Sequence, residues 1–255
     1  MQRHDRFVAI ALSLGLFFVI WACTADKAKT IVDSAIETHG GDAFRSFQLS
    51  FDFRDRHYTA SRNNGVFRYT RTFTDSTGHI RDVLDNNGLR RFRNDTLVNL
   101  PPDRSTAFTN SVNSVIYFAL LPFGLNDKPV RKEWLGERVI GDEPYDMIRV
   151  TFDTGQSDDI HDDIYLYWFH RDRKTMDYLA YSYKTEGGGI RFRRAVNSQP
   201  VGGILLQDYE NFRPSSDTIS LERLPDLFLS GELMKVSDIH LENVSVTEYR
   251  RTLGE

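Results

Sequence analysis

The densest run of metal-ligating side chains in the sequence is Asp158-Asp159-Ile160-His161-Asp162-Asp163, a short distance after Gly155. Carboxylates suit hard cations and imidazole suits zinc. Asp158, Asp159, His161 and Asp162 are therefore candidate ligands for a divalent metal, and a metal-dependent hydrolase or lyase is one expectation. The spacing is not that of an EF-hand, because the central glycine and the distal glutamate are missing. The bland alternative is a solvated acidic loop held open by its own charge. Other routes to chemistry are weaker. His39, His57, His79, His161, His170 and His240 stand in no triad context, and no G-x-S-x-G elbow occurs. Gly187-Gly188-Gly189 precedes a strand-like segment without a P-loop lysine nearby, so it reads as a hairpin turn. No catalytic residue is assigned.

Cys23, the only cysteine of 255 residues, carries a different chemistry. Before it stand Arg3, His4 and Arg6, then an apolar run from Phe7 to Trp21. That run is shorter than the roughly 20 residues a membrane-spanning helix needs. A positive start, a short apolar stretch and a small residue before the cut describe a secretory leader. Ile20-Trp21-Ala22-Cys23 reads as a lipobox, with an oversized Trp21. The expectation is cleavage after Ala22, diacylglyceryl transfer to the Cys23 sulfur, and acylation of the freed amine by a chain such as palmitate. Two or more acyl chains make such an anchor stable. The organisation expected is a leader over 1–22, a lipidated tether over 23–27 and a single domain over 28–255.

Removing Arg3, Asp5 and Arg6 with the leader leaves 30 basic against 35 acidic side chains. This balance, with arginines scattered rather than clustered, argues against nucleic acid. It gives no reason for electrostatic adhesion to anionic lipid either. The membrane is therefore expected to be met through the acyl group. The place is the cell envelope, at the inner or the outer membrane.

These residues must be positioned by elements the sequence also outlines. Ala28, Ile31, Val32, Ala35 and Ile36 recur at three- and four-residue spacing and predict a helix stopped by Gly40-Gly41. The period then changes to two. Phe47, Leu49, Phe51 and Phe53 alternate with polar residues, and Asn63-Asn64-Gly65 predicts a hairpin turn. Further turns at Ser76-Thr77-Gly78, Asp85-Asn86-Asn87-Gly88 and Asn94-Asp95 extend an antiparallel meander. A second helix is expected from a Ser105 cap to about Leu120. Later strands are expected over 134–140, 145–152, 164–169, 176–183, 190–196, 203–212 and 236–246, with a short helix near 221–229. The class is α+β: one large curved antiparallel sheet, a half-barrel of about eleven strands, with helices packed on or plugging its concave face.

The aromatic distribution adds a constraint. In Tyr165-Leu166-Tyr167-Trp168-Phe169 and Tyr178-Leu179-Ala180-Tyr181-Ser182-Tyr183, both faces of the strand carry large apolar side chains. A half-solvated strand would alternate with polar residues, so two coverings are needed. One is a helical layer. The other is a ligand, a partner or further loops.

Several stretches together resemble an uncharacterised family of predicted bacterial lipoproteins. They are His39-Gly40-Gly41, Asn113-Ser114-Val115-Ile116-Tyr117-Phe118, Leu121-Pro122, Trp134-Leu135-Gly136-Glu137, Tyr167-Trp168-Phe169 and Arg191-Phe192-Arg193. The family's architecture is similar to the outer-membrane lipoprotein carrier and receptor (LolA/LolB-like) fold. That resemblance implies a curved sheet enclosing an apolar cavity, plugged by helices, that accepts acyl chains. The function expected is non-catalytic: an envelope binding protein for a hydrophobic or amphipathic ligand. Phe51, Phe53, Tyr69, Tyr117, Phe118, Tyr167, Trp168, Tyr181 and Phe192 are the candidate cavity residues, with Arg191 or Arg193 near a rim. The alternative is a structural lipoprotein whose extra apolar face meets another envelope protein. No organic cofactor is expected.

Overall fold

The computed structural model describes residues 26–153, 163–184 and 187–249. Helix α1 covers 26–39. It is followed by β1 (Ser46–Phe53), β2 (Arg56–Asn63), β3 (Val66–Asp75), β4 (Gly78–Asp85), β5 (Gly88–Arg93) and β6 (Thr96–Val98). Next come α2 (Pro102–Ala119), β7 (Val130–Ile140), β8 (Glu143–Phe152), β9 (Ile164–His170) and β10 (Met176–Tyr183). The chain continues through β11 (Gly189–Val201), β12 (Ile204–Arg213), α3 (Leu224–Leu229), β13 (Met234–Ile239) and β14 (Glu242–Thr247). Among the described residues these strands form two seven-stranded sheets, β14-β1-β2-β3-β4-β5-β6 and β13-β12-β11-β10-β9-β8-β7. Neither sheet closes on itself. The chain divides into two compact units, one holding residues 125–192 and 213–234 with α1 up to Ala35, the other holding 36–124, 193–212 and the residues from Lys235 on.

The second unit is built on the first sheet. Its hairpins obey their turn residues: Asn64 and Gly65 take φ of 48° and 91°, and Asn94 and Asp95 take 46° and 61°. Both are left-handed pairs, the conformation that matches strand twist in a two-residue loop. Alternation sends Phe47, Leu49 and Phe51 to one face, where Tyr58, Ala60, Tyr69 and Leu84 join them in a buried cluster. Helix α2 covers this face with Val112, Ile116 and Ala119. It begins at Pro102, earlier than the Ser105 cap expected from sequence, and the Ser105 N–H donates to the Pro101 carbonyl at 2.9 Å. Proline suits this first position, since its missing N–H would have no helical partner there. The turn joining β11 to β12 needs glycine for a second reason. Gly202 has φ 55°, and a Cβ on it would lie 2.5 Å from the Val246 carbonyl oxygen.

In the first unit, both faces of β8, β9 and β10 are covered. On one face Trp168 meets Phe192 edge-on at 6.0 Å, and Tyr178 stacks on Phe192 at 5.6 Å. The Phe228 ring of α3 closes this cluster at 5.4 Å from Phe192. On the other face lie Tyr167 and Phe169, with Ile31 of α1 and Phe169 sharing a cleft of about 90 Å3. Helix α1 is fixed there by Lys27, 3.4 Å above the Trp134 ring, and by Asn126, which donates to Asp33 at 2.7 Å. The covering that the two-faced aromatic strands demand is thus supplied by α1 and α3.

The strand-rich antiparallel α+β class is the one the sequence implies. Among the described residues the strands are fourteen in two sheets rather than about eleven in one. One cause is the segment 236–246, read from sequence as a single strand. Residues between Ile239 and Glu242 break it, so that β13 pairs in one sheet and β14 in the other. A second cause is β6, three residues long and too short for periodicity to reveal. Among the described residues no helix is long and apolar enough to cross a membrane.

Candidate functional site

The candidate cavity residues fall into two groups. Phe51, Phe53 and Tyr69 stand on the α2-facing side of the second unit's sheet, and Tyr117 and Phe118 stand on α2 itself. Phe51 stacks on Tyr58 at 5.4 Å, and Tyr69 packs against Phe67 at 4.9 Å. Tyr117 and Phe118 are half-buried, and the Arg193 guanidinium lies 4.2 Å from the Phe118 ring centroid. Tyr167, Trp168, Tyr181, Arg191 and Phe192 belong to the first unit. Tyr167, Trp168 and Phe192 are fully buried there, whereas Tyr181 is half-buried and stacks on Tyr165 at 5.4 Å. Arg191 sits over the Tyr183 ring at 5.2 Å. The candidate metal ligands Asp158, Asp159, His161 and Asp162 lie outside the described residues, as does Cys23.

Register explains an ion cluster that sequence reading missed. Phe51, Tyr58, Arg71, Asp82 and Arg91 are consecutive cross-strand partners, all facing α2. Arg71 and Asp82 are buried, at 2% and 0% exposure. Arg71 donates to Asp82 through Nε and Nη2 at 2.9 and 2.6 Å, and Arg91 donates through Nε and Nη2 at 2.6 and 2.9 Å. The remaining Arg71 Nη1 donates to Ser111 Oγ of α2 at 2.7 Å, and Phe108 of α2 lies under Arg91 at 3.4 Å. Two arginines on one carboxylate satisfy its acceptors and lock the helix onto the sheet.

His170, at the end of β9, holds a carboxylate from a buried position. His170 Nε2 lies 2.8 Å from Glu143 Oε2, and its Nδ1 accepts the backbone N–H groups of Asp172 and Arg173 at 3.1 Å. With both ring nitrogens occupied, the imidazole pins the β9–β10 turn. The His170 hydrogen bond holds the Glu143 carboxyl below its ordinary range. Nearby, Tyr145 donates to Asp177 at 3.1 Å, and burial, reinforced by the Asp177 charge, pushes the phenol far up. A phenol held protonated in this way is a hydrogen-bond donor, not a base.

An opening lies on the other face of the second unit's sheet, away from α2. It is a groove of about 940 Å3 whose lining runs from β14 to β5. The register that lines up the buried cluster also lines up this floor. One row reads Ser245, Ser50, Thr59, Thr70, Val83, Arg90 across six strands. The next reads Thr247, Gln48, Ser61, Arg68, Asp85. Thr59 and Thr70 hydroxyls meet at 2.5 Å. Arg90 is paired with Asp85, and Arg81 reaches Asp95 at 3.4 Å while lying over Phe92 at 4.4 Å. None of the candidate cavity residues lines this groove. Its polar positions are the alternate residues of β1 to β5, which a search for rings passes over as a solvent face.

Comparison with known proteins gives a family and a set of distant structural likenesses. The sequence profile of a family of unknown function (DUF6503) matches residues 6–242. No curated protein matches the chain. Among solved structures, it is similar to a LolA superfamily protein from Nitrosomonas europaea at 13% identity, covering 88% of this chain and 94% of that one with a TM-score of 0.48. A DUF1329 family protein from Desulfovibrio piger gives 12% identity, 86% and 92% coverage and a TM-score of 0.40. The Mycobacterium tuberculosis lipoprotein LppX gives 11% identity, 62% and 89% coverage and a TM-score of 0.26.

Proposed function

Because the chain belongs to a family of unknown function (DUF6503), we propose from its own residues that it is an envelope lipoprotein that binds a hydrophobic or amphipathic ligand without transforming it. The leader over 1–22 and the lipobox at Cys23 support export and anchoring. The ligand reading rests on one observation about α2. Val112, Ile116 and Ala119 are buried, yet Phe108, Val115, Tyr117 and Phe118 are also half-buried on the same helix. Large apolar side chains thus surround more of its circumference than a one-sided amphipathic helix requires. Beneath it lies the ring layer of Phe51, Tyr58 and Tyr69. An acyl chain laid along α2 would be removed from water at about 25 cal/mol per Å2 of apolar surface covered.

The test is native mass spectrometry of the protein purified from its own envelope, followed by fluorescent fatty-acid binding. The expected result is a co-purifying lipid, and binding weakened about tenfold in a Tyr117→Ala/Phe118→Ala variant, the loss of two half-buried rings' contacts. A lipid-free protein that binds no fatty acid removes the ligand reading. A chain that still begins at Met1, or a Cys23 thiol that remains free, removes the anchor.

A further inference from the structure

We propose that the groove on the open face of the second unit's sheet is a separate site, for an acidic oligosaccharide. The argument starts from charge. The chain carries a formal net charge of −4, yet among the described residues the groove's lining contains Arg68, Arg81 and Arg90 against the carboxylate of Asp85, with Asp95, outside the lining, paired to Arg81. A basic concavity on an acidic protein focuses a field that draws anions. Arg81 and Arg90 are 38% and 47% exposed. Each guanidinium has five N–H donors, and the pair with Asp95 (Arg81) or Asp85 (Arg90) engages only part of them.

The rest of the floor narrows the class of anion. Ser50, Ser61, Thr59, Thr70, Ser245, Thr247 and Gln48 supply groups that both donate and accept. Sugar hydroxyls need that dual character at successive positions, whereas phosphate or carboxylate alone needs donors only. Phe92, with Arg81 laid over it, adds an apolar surface at the basic end. Six strands at about 4.8 Å spacing make a floor about 24 Å wide, enough for several sugar rings. A peptide would find its main-chain partners at a strand edge rather than on the face of a sheet. The site is independent of the acyl-ligand reading, because α2 packs on the opposite face of the same sheet.

Isothermal titration calorimetry of the full mature protein tests this, with hexagalacturonate as the carboxylated probe, a phosphorylated maltohexaose as the second, and neutral maltohexaose as the control. Either acidic hexasaccharide is expected to bind at least about tenfold more tightly than the neutral one, and raising salt should narrow the gap. Arg81→Gln/Arg90→Gln should weaken acidic binding by about tenfold or more, the loss of charge-assisted hydrogen bonds. Ser50→Val/Thr70→Val, which leaves the arginines in place, should weaken all sugars alike. The proposal is overturned if neither acidic sugar binds, if the neutral sugar binds as well as the acidic ones, or if both variants bind unchanged. It is also overturned if inorganic phosphate or vesicles of phosphatidylglycerol bind the groove arginines while no saccharide does.

Discussion

The strands of the first unit and the seven-stranded sheet of the second solve opposite surface problems. In the first, β9 runs Tyr165 to Phe169 with rings on both faces, and α1 and α3 cover them. In the second, β1 to β5 alternate for the most part, so that α2 covers one face and the other stays open with Ser, Thr and Arg beside Val83 and Phe92. Alternation therefore tells more than strand or helix. Where it fails, the sheet is an interior and its side chains are committed to packing. Where it holds, the polar half is a surface on which function is possible without disturbing the core.

The sharpest way to break that contrast is to mutate each face of the second unit's sheet. Asp82→Ala would leave Arg71 and Arg91 facing one another without their carboxylate. Stranding a buried charge costs about 3–5 kcal/mol, and urea unfolding should register a loss of that size. A loss below about 1 kcal/mol would mean that α2 is held by its apolar contacts alone. The next effect should come from Gly202→Ala. The residue's φ of 55° and the 2.5 Å approach of the Val246 carbonyl leave no room for a methyl group. Strain at a left-handed position costs about 1–3 kcal/mol. Thermal melting would read it, and a melting temperature equal to the parent's would show that β14 simply moves aside.

On the open face the same kind of change should do little. Arg81→Gln/Arg90→Gln removes two ion pairs whose arginines are partly exposed to solvent, each worth about 1 kcal/mol or less. Denaturant unfolding of this variant should lie close to the parent. A loss comparable to that of Asp82→Ala would show the groove arginines to be structural, and would dissolve the distinction between a packed and a usable face.

How much of this was legible beforehand follows from the length scale of each signal. The meander, the hairpin at Asn64-Gly65 and the helix ended by Gly40 are local, and turn chemistry and periodicity reveal them. The division into two sheets depends on where Leu241 and its neighbours break a β-like run, which no period reports. The Arg71–Asp82–Arg91 cluster depends on register across three strands. From sequence, these are charges scattered among 27% charged residues. The groove was hidden for the same reason: Ser50, Thr59 and Thr70 are ordinary solvent-face residues until pairing places them in one row. Trp168 and Phe192, by contrast, advertise themselves as rings. Their place is a filled core, with the Trp168 indole nitrogen buried and without a hydrogen-bond partner among the described residues.

The smallest effect expected is a pH dependence at the junction of β13 and β14. Asp208 accepts the Leu241 N–H at 3.0 Å, lies 3.0 Å from His240 Nδ1, and so holds the break at which one run becomes two strands. The hydrogen bond to Asp208 raises the His240 pKa above its ordinary value. A histidine with a raised folded pKa stabilises the protein fully below the unfolded value of about 6.5 and loses that contribution as pH rises through the folded value. Because His240 is half-exposed, solvent screening limits the contribution to a few tenths of a kcal/mol. Nuclear magnetic resonance titration should show the His240 ring titrating above the free histidine value. His240→Gln should flatten the corresponding slope of stability between about pH 6.5 and that midpoint. A His240 midpoint at or below 6.5 would mean that the Asp208 contact is not held in solution, and that Leu241 alone marks the break.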